Sequence, residues 1–298
     1  MSRRNSDRLE TPEAKPDEAS PASILSGPHD NPLGDILSFV SPTEIVDIPS
    51  KGLLYPPNDP LHNIDSIEIR HMTAKEEDIL TSESLIAKGI ALDRLLQSLI
   101  INKDLDVNDL LTGDKNALLI AARMTGYGPL YNTSVECPAC GTVKEDEINL
   151  QEVECRPPVI PENVALTDNG TYVVDFTEYP EPLQIEIRLL RGRDETSIAK
   201  RRESRKKMNL DESFITDQLQ AIIVRVNGIT DRSTLNEFAS VCPAIIARKL
   251  RKVYESVMPN IDLTYNFHCD SCGHEGKAGI PLTVNFFWPD ASISGVSV

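Results

Sequence analysis

The spacing of apolar residues predicts a strand and two helices in the first part of the chain. An alternating run at residues 67–70 predicts the strand, and a longer apolar run at near-helical spacing predicts a helix over residues 83–101. A second helix is predicted over residues 114–125, because Gly126 and Gly128 behind it are stop signals. This part of the chain therefore combines both kinds of element.

A comparable pattern follows further along the chain. Residues 164–188 alternate on both sides of Asp168-Asn169-Gly170, which predicts a hairpin with its turn at these three residues. Helices are predicted over residues 194–207, 211–226 and 243–258, where apolar residues return to helical spacing. Both parts are thus predicted to contain a strand that is followed by helices.

Short sequence landmarks recur in the same order in the two parts. Ile-Glu-Ile-Arg at residues 67–70 recurs at residues 185–188, and the helical run at residues 118–124 is matched by residues 244–250. Ordered landmarks favour an internal duplication, and they predict an α+β fold of two pseudo-repeated halves. The alternative is an ordinary α+β chain in which similar elements recur by coincidence.

The patterns divide the chain into three segments. Residues 1–44 are rich in Pro, Ser, Asp and Glu and hold too few large apolar residues for a core, so a disordered or extended acidic arm is predicted. Residues 45–156 are predicted to form the first repeat and residues 157–298 the second. Pro157-Pro158 and Pro161 mark the boundary between the repeats.

One apolar cluster interrupts the acidic arm. Its large side chains are Leu33, Ile36, Leu37 and Phe39. These residues are a candidate docking segment for a partner protein. In the alternative interpretation they pack on their own domain.

Two Cys-x-x-Cys-Gly motifs carry the clearest chemical signal. Cys137 and Cys140 form the first, and Cys269 and Cys272 form the second. Alternating segments on both sides make each motif the tip of a predicted β-hairpin, so the motifs predict a zinc-ribbon-like site. Because each motif is half of a tetrahedral thiolate set, the two together predict one structural zinc that joins the halves.

Other chemistry remains open at these cysteines. A redox dithiol requires a helix N-terminus, whereas a polar, strand-like run follows Cys140; disulfides and unmetallated thiols are further alternatives. His268 and His274 flank the second motif and are candidate substitute ligands. Cys155 and Cys242 lack a Cys-x-x-Cys partner and are interpreted as ordinary core or loop cysteines.

Charge and hydropathy narrow the classes of partner. The formal net charge of −16 argues against direct binding of nucleic acid. The exception is residues 191–207, where eight Lys/Arg accompany three Asp/Glu and predict either a solvated helix face or a docking surface for an acidic neighbour. No run approaches the roughly 18 apolar residues of a membrane span, and no secretory signal follows Arg3-Arg4.

The sequence does not show an enzyme signature. It contains no phosphate-binding loop, no dinucleotide fingerprint and no His-Glu-x-x-His motif, and its five histidines form no catalytic set. Four thiolates around one zinc leave no open coordination position for catalysis. The interpretation is therefore non-enzymatic.

Several segments resemble the opening of a baseplate protein family of contractile-tailed phages. They are Ile-Pro-Ser-Lys-Gly-Leu-Leu-Tyr-Pro at residues 48–56, the run at residues 67–78, residues 110–114, Ala122-Arg123, and residues 127–131 before the first cysteine motif. Among such proteins the segments are similar to the baseplate hub subunit, or hub assembly protein, of T-even-type phages. The acidic arm is not part of the resemblance.

The resemblance implies a structural or assembly component of the tail baseplate, in its hub or wedge region. Other baseplate and tail proteins would be its partners, and the chain would be made in the host cytoplasm and placed in the virion tail. The alternatives are an assembly chaperone that is absent from the mature virion and a cell-wall hydrolase of the hub.

Residues of the resembling segments also have ordinary structural interpretations. Tyr55, Tyr127 and Tyr131 are expected to complete the core or to hydrogen-bond a loop. Thr112 or Asp114 is expected to cap the helix that follows.

Overall fold

The computed structural model describes residues 42–177, 182–208, 213–280, 282 and 284–287, and these described residues belong to one compact unit. Within the described residues the helices are α1 (Ala74–Leu80), α2 (Glu83–Ala87), α3 (Ala91–Leu99), α4 (Thr112–Tyr127), α5 (Gly192–Lys207), α6 (Phe214–Ile222), α7 (Arg232–Val241) and α8 (Ala244–Val257). The strands are β1 (Thr43–Asp47), β2 (Ser66–Arg70), β3 (Leu130–Glu136), β4 (Val143–Asn149), β5 (Cys155–Arg156), β6 (Val164–Leu166), β7 (Thr171–Phe176), β8 (Leu183–Arg188), β9 (Ile223–Val226), β10 (Asn260–Ile261), β11 (Thr264–His268) and β12 (Glu275–Gly279). Short 3₁₀ turns lie at Val107–Asp109, Leu150–Glu152 and Val284–Phe287.

The strands pair into small antiparallel sheets. In the first half β1 pairs with β2, and Ile69 of β2 also bridges Ile100 at the end of α3. In the second half β6, β7, β8 and β9 form a four-stranded sheet in that order. Ile185 and Ile187 of β8 face the same side, because alternate residues of a strand do so, and both are buried. Helix and sheet together confirm the predicted α+β class.

The two halves begin with the same local arrangement. Arg70 at the end of β2 donates through both terminal nitrogens to Glu76 of α1, at 3.1 and 2.6 Å. Arg188 at the end of β8 does the same to Asp194 of α5, at 2.7 and 2.8 Å. Each carboxylate also accepts a hydrogen bond from the backbone N–H of the residue just before its helix. The donor is Thr73 for Glu76 and Arg191 for Asp194. Both pairs therefore tie a strand end to a helix start.

The order of elements also recurs. In each half, the strand that carries Ile-Glu-Ile-Arg is followed by helices and then by a hairpin, β3–β4 or β11–β12, but in the second half β9 lies between the helices and β10 precedes the hairpin. The predicted boundary between the two repeats, at residues 156 and 157, stays a prediction. The two parts are not separate at this point, since β5 of the first half pairs with β10 of the second. One hydrophobic core cluster includes residues of both halves, such as Leu118 and Leu250.

Two predicted helices are interrupted in the structure. The predicted helix 83–101 is divided into α2 and α3 by Gly89, which adopts φ 66. The N–H of Ile90 donates to Leu85, and this is the hydrogen bond that ends a helix at a left-handed glycine.

The predicted helix 211–226 was also too long. Helix α6 ends at Ile222, and residues 223–226 form strand β9 instead, because Ile223 and Val226 pair with β8. Helix α7 was not predicted. The predicted hairpin at 164–188 consists of three strands, and its first turn includes Asp168-Asn169-Gly170 as expected.

Arg123 of α4 fixes the base of the first hairpin. Its side chain is fully buried and donates to the carbonyls of Phe286 at 3.0 Å, Gly128 at 3.0 Å and Leu130 at 3.3 Å. Burial lowers the pKa of Arg123, and the three carbonyls compensate by satisfying the guanidinium. The start of β3 is thereby attached to the core.

The described helices are all too short or too polar to cross a membrane. The arm residues Leu33, Ile36, Leu37 and Phe39 lie outside the described residues.

Candidate metal centre

Each cysteine motif lies at the tip of an antiparallel hairpin. In the first hairpin Glu136 faces Val143 at the last pair of β3 and β4, and in the second His268 faces Glu275 at the last pair of β11 and β12. Six residues connect the strands in both cases. The predicted hairpins are therefore present.

The two tips have the same backbone hydrogen bonds. Cys137 donates its N–H to Thr142 and accepts one from Gly141, both at 2.9 Å. Cys269 donates its N–H to His274 at 2.9 Å and accepts one from Gly273 at 2.8 Å. Both glycines have the positive φ that other residues rarely adopt, 73° and 72°. The glycine after each second cysteine is thus required by the turn.

The structure brings all four cysteines together. Their Sγ atoms lie within 4.8 Å of one another, although the motifs are far apart in sequence. Cys137 Sγ is 3.7 Å from Cys272 Sγ, and Cys140 Sγ is 3.7 Å from Cys269 Sγ. Four sulfurs at about 2.3 Å from a tetrahedral zinc would be separated by about 3.8 Å. The sulfur positions therefore fit a tetrahedral metal ion.

These distances do not fit a disulfide, whose S–S bond is about 2.05 Å. All six cysteines of the chain are free thiols in the structure. Neither motif starts a helix, so the geometry that lowers the pKa of a redox dithiol is also missing among the described residues. A four-ligand metal site is the arrangement that the geometry supports.

One cysteine of each motif is buried and the other is exposed. Cys137 and Cys269 are each 1% exposed and pack with Phe267, while Cys140 and Cys272 face solvent. This small apolar cluster is separate from the main core. The hairpin tips therefore have few apolar contacts with which to hold their own geometry, and a shared metal would supply the missing constraint.

The pKa values of the exposed thiols also favour a bound metal ion. The Thr142 side chain, 3.3 Å from Cys140 Sγ, stabilises the thiolate and lowers the pKa of Cys140 to about 6. A backbone hydrogen bond at His274 lowers the pKa of Cys272, but the other three sulfurs raise it, and the balance is about 12. A second thiolate so close to the first is unfavourable without a cation, and a divalent metal removes that penalty.

Lys144 connects the two hairpins beside the sulfurs. Its Nζ donates to the backbone oxygen of His268 at 3.0 Å and lies 3.0 Å from Asp146 and 3.5 Å from Asp270. The hydrogen bond to Asp146 raises the pKa of Lys144, so the lysine stays positively charged at neutral pH. Tyr265 of the second hairpin donates to Asp146 at 3.4 Å. These contacts align the two tips.

Other candidate ligands are not part of the cluster. Among the described residues, the group that could hold a metal consists of the four cysteines alone. The imidazole of His268 lies 3.5 Å from Glu275, and its backbone oxygen is the acceptor for Lys144. Cys155 lies in β5 and Cys242 follows α7, so both are remote from the hairpin tips in sequence and in element.

A family model described as "T4 bacteriophage base plate protein" matches residues 44–288. The chain belongs to this baseplate family. Comparison with curated proteins and with solved structures gives no match. The family assignment, rather than a relative of known role, is therefore the starting point for function.

The segment at residues 48–56 of this baseplate protein wraps around a buried carboxylate. Asp114 of α4 accepts the N–H of Ser50 at 2.9 Å, the hydroxyl of Ser50 at 2.6 Å and the hydroxyl of Tyr55 at 2.7 Å. The Tyr55 oxygen in turn accepts the N–H of Leu111 at 2.9 Å. Burial raises the pKa of Asp114, and the three donors oppose that shift.

The capping prediction for Thr112 and Asp114 was wrong. Helix α4 starts after Leu111 without a side-chain cap, Thr112 donates to Glu195 instead, and Asp114 turns inward to Ser50 and Tyr55. The prediction failed because sequence spacing does not reveal a carboxylate acceptor for a loop about 60 residues away. The expected core position of Tyr55 is confirmed, since its side chain is fully buried.

The same segment also contacts the second half. The guanidinium of Arg191 lies 5.3 Å from the centre of the Tyr55 ring and pairs at 2.7 Å with Asp59, which follows the segment. Gly170 packs so closely that an added Cβ would lie 2.4 Å from the carbonyl oxygen of Leu54. The halves of the baseplate protein therefore meet at this segment as well as at the cysteines.

Proposed function

We propose that this chain is a non-enzymatic structural or assembly component of a contractile phage tail baseplate, in its hub or wedge region. The family match over residues 44–288 supports the baseplate role. The two hairpins support a structural role, because they bring four thiols close together. A metal ion held by all four would have no free coordination position for a substrate.

The proposed ion is zinc, bound by Cys137, Cys140, Cys269 and Cys272. Four thiolates in a tetrahedral arrangement are a ligand set that zinc prefers, and the 3.7 Å sulfur separations fit its bond length. Such an ion supplies stability rather than catalysis. It would hold the halves together at the hairpin tips, whose small apolar cluster is separate from the main core.

Other baseplate and tail proteins are the proposed partners, and the virion tail is the proposed location. The arm residues Leu33, Ile36, Leu37 and Phe39 are proposed to dock on a neighbouring subunit. Removal of the arm, in a chain that starts near Thr43, should leave folding and metal binding intact and reduce assembly into baseplates. Full complementation of a deletion phage by the truncated chain would show that the arm is dispensable.

Quantitative mass spectrometry of purified virions tests the main proposal. A structural component should be present at a fixed copy number in virions and in isolated baseplates. Its absence from both, with normal levels in infected cells, would instead identify an assembly chaperone. Cleavage of purified peptidoglycan by the isolated protein would overturn the non-enzymatic assignment and favour a hydrolase.

A further inference from the structure

Helix α5 of the second half presents an unneutralised basic surface. Its run from residue 191 to residue 207 holds eight Lys/Arg and three Asp/Glu in a chain of net charge −16. Ion pairs at the ends of this run engage Arg191 with Asp59, Arg193 with Asp109, and Lys207 with Glu203. Between these pairs Lys200, Arg201 and Lys206 are exposed, and Arg205 is half-buried.

Four basic side chains in this stretch have no acidic partner among the described residues. They are Lys200, Arg201, Arg205 and Lys206, which we call the basic surface. Burial is the main cause that lowers the pKa of Arg232, and the like charges of Arg188 and Arg201 lower it further. Unbalanced repulsion of this kind is relieved when an acidic surface binds.

Apolar side chains border the basic surface. Met208 is 70% exposed and Phe214 is 52% exposed, directly after α5 and at the start of α6. The guanidinium of Arg202 lies 4.1 Å from the centre of the Phe214 ring. Arginine, methionine and aromatic residues together are typical of protein–protein interfaces rather than of surfaces that only face solvent.

The equivalent part of the first half has the opposite charge. The Arg70–Glu76 and Arg188–Asp194 pairs identify α1 as the counterpart of α5. Glu77, Asp78 and Glu83 of α1 and α2 are exposed, and we call them the acidic surface. Ile86, which follows them, is also exposed. One chain thus carries two complementary surfaces at equivalent positions of its halves.

We propose that the basic surface of one copy docks on the acidic surface of a second copy of this chain. The contact is heterologous, so each docked copy still offers one unused surface, and the copies associate head to tail into a ring or an open chain. Salt weakens the contact, because exposed charges are screened over about 10 Å at 0.1 M ionic strength. The proposal does not depend on the metal or on the role in the baseplate.

Charge reversal on each surface gives a specific test by sedimentation velocity. The full chain should form species larger than a monomer at about 50 mM salt and return to the monomer at about 500 mM. The variant Arg201→Glu/Arg205→Glu should be monomeric at both concentrations, because the four side chains of its basic surface then carry no net charge to attract the acidic surface. The variant Asp78→Lys/Glu83→Lys should be monomeric because both surfaces are then basic.

Mixing supplies the decisive outcome. The Arg201→Glu/Arg205→Glu variant keeps its acidic surface, and the Asp78→Lys/Glu83→Lys variant keeps its basic surface. The two variants should therefore associate with each other when combined, which also shows that both are folded. Arg248→Glu/Lys252→Glu on α8 is the matched control, since it makes the same change of charge on exposed residues of another helix, and it should associate like the unmodified chain.

Three results would overturn the proposal. They are an unmodified chain that stays monomeric at low salt, association that survives Arg201→Glu/Arg205→Glu, and a mixture that does not associate. Binding of duplex DNA by a monomeric chain, abolished by the same two substitutions, would assign the basic surface to nucleic acid instead.

Discussion

The hydrogen bonds of Tyr55 give the sharpest test of how the segment at residues 48–56 is held. Tyr55→Phe removes one oxygen and leaves the ring in place. That oxygen donates to Asp114 at 2.7 Å and accepts the N–H of Leu111 at 2.9 Å. All three residues are buried, so water does not readily replace the missing partner.

The expected cost follows from these two contacts. A buried N–H that loses its acceptor costs about 1–3 kcal/mol, and a hydrogen bond to a charged group contributes about 1.5–3 kcal/mol. Because the ring is kept, no cavity is created. We therefore expect Tyr55→Phe to lower the free energy of unfolding by about 3–5 kcal/mol.

Tyr172→Phe is the matched control. Tyr172 is also fully buried, but its hydroxyl makes one longer hydrogen bond, 3.3 Å to the carbonyl of Val257, so a loss of about 0.5–1.5 kcal/mol is expected. Urea unfolding of both full-length variants in excess zinc, followed by circular dichroism, gives the two free energies. If Tyr55→Phe is no more destabilising than Tyr172→Phe, the segment does not depend on the Asp114 network.

Three further predictions address other contacts of the fold. Lys144→Met should speed the transfer of metal to a chelator without changing the number of ions bound, because the lysine only aligns the hairpins. Although burial alone would raise the pKa of Glu76, hydrogen bonds from Arg70 and Thr73 lower it from 4.5 to about 2. Its stabilising contribution is therefore present above pH 4.5 and lost as the pH falls towards 2, and Glu76→Gln should flatten the stability profile in that window. Gly170→Ala should be more destabilising in urea unfolding than Gly89→Ala, since both positions have positive φ but only at Gly170 would the new Cβ meet a backbone oxygen, at 2.4 Å.

Much of the architecture could be predicted because it depends on local patterns. The hairpin tips followed from Cys-x-x-Cys-Gly, whose glycines adopt the positive φ that the turn requires. The two Ile-Glu-Ile-Arg runs, on which the predicted duplication rests, lie in strands that end in similar arginine–carboxylate pairs. Four thiols in two hairpin tips were enough to predict that distant cysteines would meet, as they do within 4.8 Å.

The failures share a physical origin in contacts that are distant in sequence. Residues 223–226 continue a helical pattern, yet they form a strand because β8 offers an unpaired edge. Asp114 follows Thr112-Gly113 like a helix cap, but donors from Ser50 and Tyr55 draw it into the core. Lys144 gave no sequence signal, since its importance depends on a carbonyl in the other hairpin.

Metal analysis of the purified chain tests the central claim that one zinc joins the two halves. Elemental analysis should find one zinc per chain, and cobalt substitution should give the spectrum of a tetrahedral four-thiolate site. Cys137→Ser/Cys140→Ser and Cys269→Ser/Cys272→Ser should each abolish stoichiometric binding, whereas Cys155→Ser/Cys242→Ser should retain it. Two zinc ions per chain, no zinc, or full retention after loss of either motif would contradict a single site shared by the two hairpins.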